Sequence, residues 1–179
     1  HYMINIWDHG GACHLVGAKA GGILHPNDIS WDDGTGSSIS TEQLGQAMND
    51  IAGMIGHKDD IYGSDACLMA MVEVAAQMKD AVETFAGSEE TIPGAGWPYA
   101  EFLTRFEANP TASSQEIATA LAEEYLKSYS GGSNGTMSVT FSVLDMSKLQ
   151  EVIDSLSGLG AALSAQSATN IAQIQKLAD

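Results

Sequence analysis

Two short stretches of the sequence carry residue types that together can break a carbonyl–nitrogen bond. "INIWDHGGA" ends an apolar, strand-like run on His9 and Gly10, and "IYGSDAC" ends another on Cys67, with Asp65 two positions before the cysteine. The thiolate, not the thiol, attacks a carbonyl carbon, and a nearby imidazole takes or shares the proton. Charge developing on the carbonyl oxygen needs N–H donors. Gly10 leaves backbone amides accessible there, and the Cys67 amide, at what reads as the start of a helix, offers a second donor. Spacing alone also allows an inert core cysteine and a hydrogen-bonded structural histidine, because free cysteine is among the most buried residue types. Asp8 adjoins His9, but neighbouring strand side chains point to opposite faces, so a solvated or capping role suits it better than orienting the imidazole. A zinc centre drawn from His9, Cys13, His14, His25 or His57 has no HExxH or CxxC spacing behind it.

These residues need elements to position them. Period-2 and short apolar runs predict strands at Tyr2–Trp7, Ile61–Ala66, Val82–Ala86 and Met137–Leu144. Helices are predicted over Thr41–Ile55, opened by a Ser40/Gln43 capping box, and over Leu68–Lys79, Pro98–Phe106 and Ser114–Tyr129. Two more, Ser147–Leu156 and Ala168–Leu177, flank a Gly-Ser-Ala stretch. Strands alternating with helices point to an α/β sandwich with a largely parallel sheet, in which ligand chemistry gathers outside the carboxyl ends of the strands. His9 and Cys67 both sit at such ends. Because the chain begins inside a strand and shows about four, further strands upstream of His1 are expected. From Gly10 to Ile39 periodicity is weak, and loops longer than about 12–15 residues are usually functional or mobile.

The 179 residues suit one folded domain. Its core is expected over residues 1–145, with C-terminal helices over 146–179 packing on it or extending from it. With 23 acidic against 7 basic residues, and Arg105 the only arginine, the surface repels nucleic acid and favours cationic partners or metal ions. No apolar run reaches the roughly 18 residues of a membrane span. Cys13 and Cys67 are too few for a disulfide framework, and the opening residues read as strand rather than as a secretory leader.

Together, "WDHGG", the "DACLM" reached 58 positions after His9 at Cys67, and "GSEETIPGAGWPY" resemble the clostripain family of cysteine endopeptidases. That family belongs with caspases, gingipains and legumains, whose catalytic residues sit in His-Gly and Ala-Cys motifs. The resemblance runs from His1 to about residue 145 and implies a caspase-like α/β/α sandwich. It also implies a His9–Cys67 dyad: Cys67 forms the acyl-enzyme, and His9 protonates the leaving amine and then helps water attack. The Gly10 and Cys67 amides would make the oxyanion hole.

Members of the family typically cleave after Arg or Lys and carry an acid two positions before the nucleophile in the primary pocket, a position held here by Asp65. A carboxylate suits a cationic side chain; a strand-end carboxylate also accepts backbone N–H bonds. Where some relatives place a second pocket acid, this chain has Ala95. Glu89 and Glu90 lie close enough in sequence to compensate, and Trp97 is a candidate pocket wall or a core residue. Internal cleavage after the catalytic histidine is common in the family, and Lys19 is the one basic residue between Gly10 and Ile39, so a cut after Lys19 is expected.

The thiol chemistry requires no cofactor. Calcium dependence occurs in the family, and Asp32 and Asp33 of "WDDGTG" offer oxygen donors, without the full spacing of a known calcium loop. An ordinary turn accounts for the same residues. The resulting expectation is a secreted or cell-surface bacterial cysteine endopeptidase acting on protein or peptide substrates with basic residues. Relatives carry a substantial segment before the His motif, which makes an upstream fragment of the same protein a candidate partner. Two other classes stay open: an inactive caspase-like binding or scaffolding domain, and an acyl transferase that passes the acyl group to an amine.

Overall fold

The computed structural model describes residues 2–11, 28–32 and 34–178. Its central sheet has four strands in the order β1 (Met3–Trp7), β4 (Asp59–Asp65), β5 (Val82–Gly87), β8 (Ser142–Asp145). β1, β4 and β5 run parallel, and β8 closes the sheet antiparallel to β5. An α/β fold with a largely parallel sheet is therefore present, as the alternation of elements led us to expect. β4 lies inside the sheet and is buried along nearly its whole length, the pattern of a strand covered on both faces.

Between β1 and β4 the chain forms an antiparallel pair, β2 (Asp28–Asp32) and β3 (Ser37–Ser40), followed by α1 (Thr41–Ile55). The ends of α1 are set by local chemistry. Ser40 Oγ accepts the Gln43 N–H at 3.2 Å and Gln43 Oε1 accepts the Ser40 N–H at 2.9 Å, a reciprocal capping box. Gly56, at φ +80°, stops the helix with its N–H on the Ala52 carbonyl. α2 (Val72–Gln77) follows β4; α3 (Tyr99–Ala108) and α4 (Ser114–Ser128) follow β5. A small pair, β6 (Ser130–Gly132) and β7 (Gly135–Thr136), precedes β8.

α3 and α4 pack together on one face of the sheet, where Ile61 and Ala86 join Phe102, Ile117, Leu121, Tyr125 and Tyr129 in one apolar cluster. Each large side chain so buried contributes about 1.5–3 kcal/mol. Tyr62 and Phe85, one residue along their strands, point to the other face, which leaves the α1–α2 pair to cover it. Gly63 is required by this packing, since a Cβ there would lie 2.7 Å from Asn5 Oδ1 and 3.1 Å from the Trp97 ring.

Contacts divide the chain into two units, residues 1–146 and 147–179. The second contains α5 (Leu149–Ser164) and α6 (Ala168–Ala178). α5 runs straight through the Gly-Ser-Ala stretch expected to interrupt it. Gly158 and Gly160 each cost a helix about 1 kcal/mol, and the Ala and Leu residues around them favour it. Two serines also bond back into the helix, Ser155 to the Glu151 carbonyl at 2.7 Å and Ser164 to the Gly160 carbonyl at 2.8 Å.

Other expectations are corrected in detail. The Met137–Leu144 alternation yields a strand only at its end, Ser142–Asp145, because Met137 spends its N–H on the Tyr129 carbonyl instead of on a sheet neighbour. The helix expected from Leu68 starts only at Val72, for reasons that involve the cysteine.

Candidate active site

Strand register brings the two motifs together. In the β1–β4 pair, Met3 stands opposite Ile61 and Trp7 opposite Asp65, so both strands end at the same level. Stepping two residues beyond that last pair places His9 beside Cys67, and both line one cavity of about 410 Å³ with Trp7, Asp8, Asp65 and the Ile92–Gly94 turn. Gly10 is the close approach that makes this possible: a Cβ there would sit 2.2 Å from the Cys67 carbonyl oxygen. The His9 carbonyl is held by the Ser30 N–H at 3.1 Å, and the Trp31 ring lies 6.2 Å from the imidazole, so β2 supports the histidine from one side. Asp8 does cap rather than orient, its Oδ1 accepting the His9 backbone N–H at 2.6 Å.

Cys67 is a free thiol, half-buried, in a turn rather than at a helix start. The residues after it give their amides to the segment following β5: Leu68 N–H to the Glu90 carbonyl at 3.1 Å and Ala70 N–H to the Ser88 carbonyl at 3.0 Å. Leu68 adopts φ +62°, which turns the chain and rules out helical continuity. A helix-dipole contribution at the Cys67 amide is thereby removed from the sequence reading. The sulfur instead accepts the Ile92 N–H at 3.2 Å and lies 3.8 Å from the Ile92 carbonyl.

Asp65 lines the same cavity and is only 2% exposed. Its Oδ2 accepts two bonds, from the Trp97 N–H at 3.1 Å and from the Tyr99 hydroxyl at 2.7 Å, while Oδ1 is buried without a partner among the described residues. Burial pushes the carboxyl above its ordinary range, and the Tyr99 and Trp97 hydrogen bonds pull it back in part. Gly96 closes over the group at φ +64°, where a Cβ would lie 2.9 Å from Oδ2.

The other proposed pocket residues are elsewhere. The Trp97 ring is in the core, 5.3 Å from the Phe141 ring, and only its backbone N–H serves Asp65. Glu89 takes the Ser142 hydroxyl on Oε1 and does not line the cavity. Ala95 is exposed between Gly94 and Gly96, so it brings no charge to the cavity, whose described carboxylates are Asp8 and Asp65. Asp32 is committed to its own turn, accepting the Gly34 N–H at 2.8 Å and the Thr35 hydroxyl at 2.7 Å, which hold its pKa below the ordinary value. Asp33 lies outside the described residues, as do Cys13, His14, Lys19 and His25. Among the described residues no three His, Cys, Asp or Glu side chains gather as metal ligands.

The model of the clostripain family of peptidases, C11, matches residues 1–177. The chain belongs to the clostripain family. A secreted C11 cysteine protease from Bacteroides thetaiotaomicron, solved with an irreversible peptide inhibitor, is 27% identical with a TM-score of 0.61; the match covers 90% of this chain and 42% of that one. A cysteine protease of B. fragilis is 23% identical, TM-score 0.56, over 69% of this chain and 49% of its own. A clostripain from B. thetaiotaomicron with a peptide inhibitor is 21% identical, TM-score 0.53, over 69% and 50%. These last two bear on the fold alone. The chain thus spans half or less of the solved relatives it matches. No protein with a curated description matches it.

Around this cavity of a clostripain-family chain, three contributors escaped sequence reasoning. Trp7 is 73% exposed yet lines the cavity, which follows from its register with Asp65 and not from any local motif. The Ile92 peptide reaches the sulfur through its backbone, which no side-chain pattern reveals. Tyr99 stood in plain view in "GWPYAEF", but its position one residue after Pro98 signalled only a helix start.

Proposed function

We propose that the chain is the catalytic core of a cysteine endopeptidase that cleaves after Arg or Lys through a His9–Cys67 dyad. The observation that carries this reading is the convergence of His9, Cys67 and Asp65 on one cavity, from two parallel strands that end in register. In the reaction the Cys67 thiolate attacks the scissile carbonyl carbon, and the oxyanion is received by the Gly10 and Cys67 amides. The tetrahedral species collapses as His9 gives its proton to the leaving amine, and a thioester remains. Water then attacks the thioester, His9 takes its proton, and the thiol is regenerated with release of the acid product.

Substrate charge follows from the cavity wall. It has two carboxylates, Asp8 and Asp65, and no Lys or Arg among its described lining residues. Asp65 Oδ1 has no partner among the described residues, and a guanidinium or ammonium group that reaches it would satisfy that acceptor. The irreversible peptide inhibitor bound to the 27% identical relative supports a peptide substrate, and the secretion of that relative supports export from a bacterial cell. No helix of the described residues is long and apolar enough to cross a membrane. Maturation by a cut after Lys19 belongs to the same reading; N-terminal sequencing of active protein is expected to find a new terminus at Ala20, absent in Lys19→Ala.

The test is hydrolysis of peptides by the intact protein and by Cys67→Ala and His9→Ala. Loss of hydrolysis in both variants, with folding retained, is the expected result. Hydrolysis that persists in Cys67→Ala removes the thiol from the chemistry.

A further inference from the structure

Resting on the reading of Asp65 as the acceptor of substrate charge, we propose that Tyr99, itself held by Asn5, is the positioning residue that keeps Asp65 set to receive a cationic side chain. A lone carboxylate can rotate and present either oxygen. Here both donors fall on the same oxygen: the Trp97 N–H and the Tyr99 hydroxyl meet Oδ2 at 3.1 and 2.7 Å, and among the described residues Oδ1 is left without a partner. One oxygen is thus spent on orientation and the other is reserved.

Each donor is itself fixed. The Trp97 amide is immobilised because its ring is buried in the core against Phe141. The Tyr99 oxygen accepts the Asn5 Nδ2–H at 2.9 Å, which turns the hydroxyl hydrogen toward Asp65. Asn5 lies on β1 and Tyr99 at the first turn of α3, so the relay joins the strand that leads into His9 to the carboxylate two residues before Cys67. The sequence Asn5 N–H, Tyr99 O–H, carboxylate runs donor to acceptor throughout, and each bond polarises the next. Its end is a carboxyl group whose Oδ2 accepts both donors, an arrangement that favours the ionised form.

Tyr99 contributes this through one atom. Its ring is part-exposed and lies 6.3 Å from the Trp97 ring, a contact that phenylalanine preserves. Tyr99→Phe therefore removes the hydroxyl and keeps the packing.

The experiment compares the intact protein with Tyr99→Phe, Asn5→Leu and Asp65→Asn on two peptides that differ only in Arg or citrulline before the scissile bond. Citrulline keeps the shape and lacks the charge. Wild type is expected to prefer Arg strongly. Tyr99→Phe should lower kcat/KM for the Arg peptide about tenfold, mostly through KM, and leave the citrulline peptide unchanged, the size expected for one hydrogen bond to a charged group. Asn5→Leu should act in the same direction and less. If Asp65→Asn abolishes the Arg preference while Tyr99→Phe retains it in full, the positioning role is wrong and the reading of Asp65 stands. If Tyr99→Phe slows both peptides equally, its role is structural and the inference again fails. If wild type does not prefer Arg, or Asp65→Asn keeps the preference, the reading of Asp65 fails and the inference with it.

Discussion

Strand β4 has an aspartate at each end, and the two are handled in opposite ways. Asp59 and Asp65 are both almost completely buried, and burial raises the pKa of both. At the carboxyl end, Asp65 has two donors on one oxygen and a cavity beside it. At the amino end, neither oxygen of Asp59 has a hydrogen-bond partner of ordinary geometry among the described residues, and burial, joined by the charge of Asp60, pushes it up to about 6. The nearby backbone of Ile4 and Asp60 offsets only part of that shift. The residue type, the strand and the exclusion of water are shared; the neighbours decide the outcome. One end supplies donors that favour a carboxylate ready for a cation, and the other favours the neutral acid.

The contrast can be broken at either end. The largest effect is expected at the cavity, where Cys67→Ala should reduce peptide hydrolysis by about 10⁴-fold or more without lowering the melting temperature. A variant that melts earlier yet still turns over would make Cys67 a packing residue.

Asp59 should respond in stability alone. Its folded pKa of about 6 exceeds the unfolded value, so between roughly pH 4 and 6 the folded state binds more protons, and stability falls as pH rises through that window. Above it the ionised, buried group costs about 3 kcal/mol. Asp59→Asn should recover up to that amount in denaturant unfolding at pH 8, recover little at pH 4, and leave hydrolysis unchanged. Equal effects at both pH values would mean that the substitution acts through packing and not through charge.

A smaller effect is expected where the loop closes over Asp65. Gly96→Ala places a side chain at φ +64° and against Oδ2, so it should cost about 1–2 kcal/mol of stability and several-fold in turnover of basic peptides. Stability measured by thermal melting together with kcat/KM on the Arg peptide checks both parts.

Much of this was legible where the signal is local. α1 keeps the boundaries read from the sequence, Thr41–Ile55, because its serine cap and terminal glycine act within a few residues. The strand ends at His9 and Cys67 were equally plain, since short apolar runs stop there. What escaped depends on distant partners. The apolar residues after Cys67 satisfy a helical pattern, but the carbonyls of Ser88 and Glu90 take their amides, and no local spacing encodes that competition. Glu89 looked available to the pocket until the fold brought Ser142 beside it through the β5–β8 pairing. Trp97 likewise serves the site by its backbone while its ring fills the core. A pocket role for Asp65 was implied by the clostripain resemblance and not by spacing alone; finding what holds its carboxylate needed Asn5 and Tyr99, separated from each other by 94 positions.

The central claim is that the Asp65 carboxylate lining the cavity selects a cationic side chain for cleavage by Cys67. A positional peptide library, digested by the intact protein and by Asp65→Asn, tests it most directly. Arg and Lys are expected before the scissile bond in the wild type, and a loss of that preference, with hydrolysis retained, in the variant. Acidic or neutral residues preferred by the wild type, or a basic preference that survives Asp65→Asn, would contradict it.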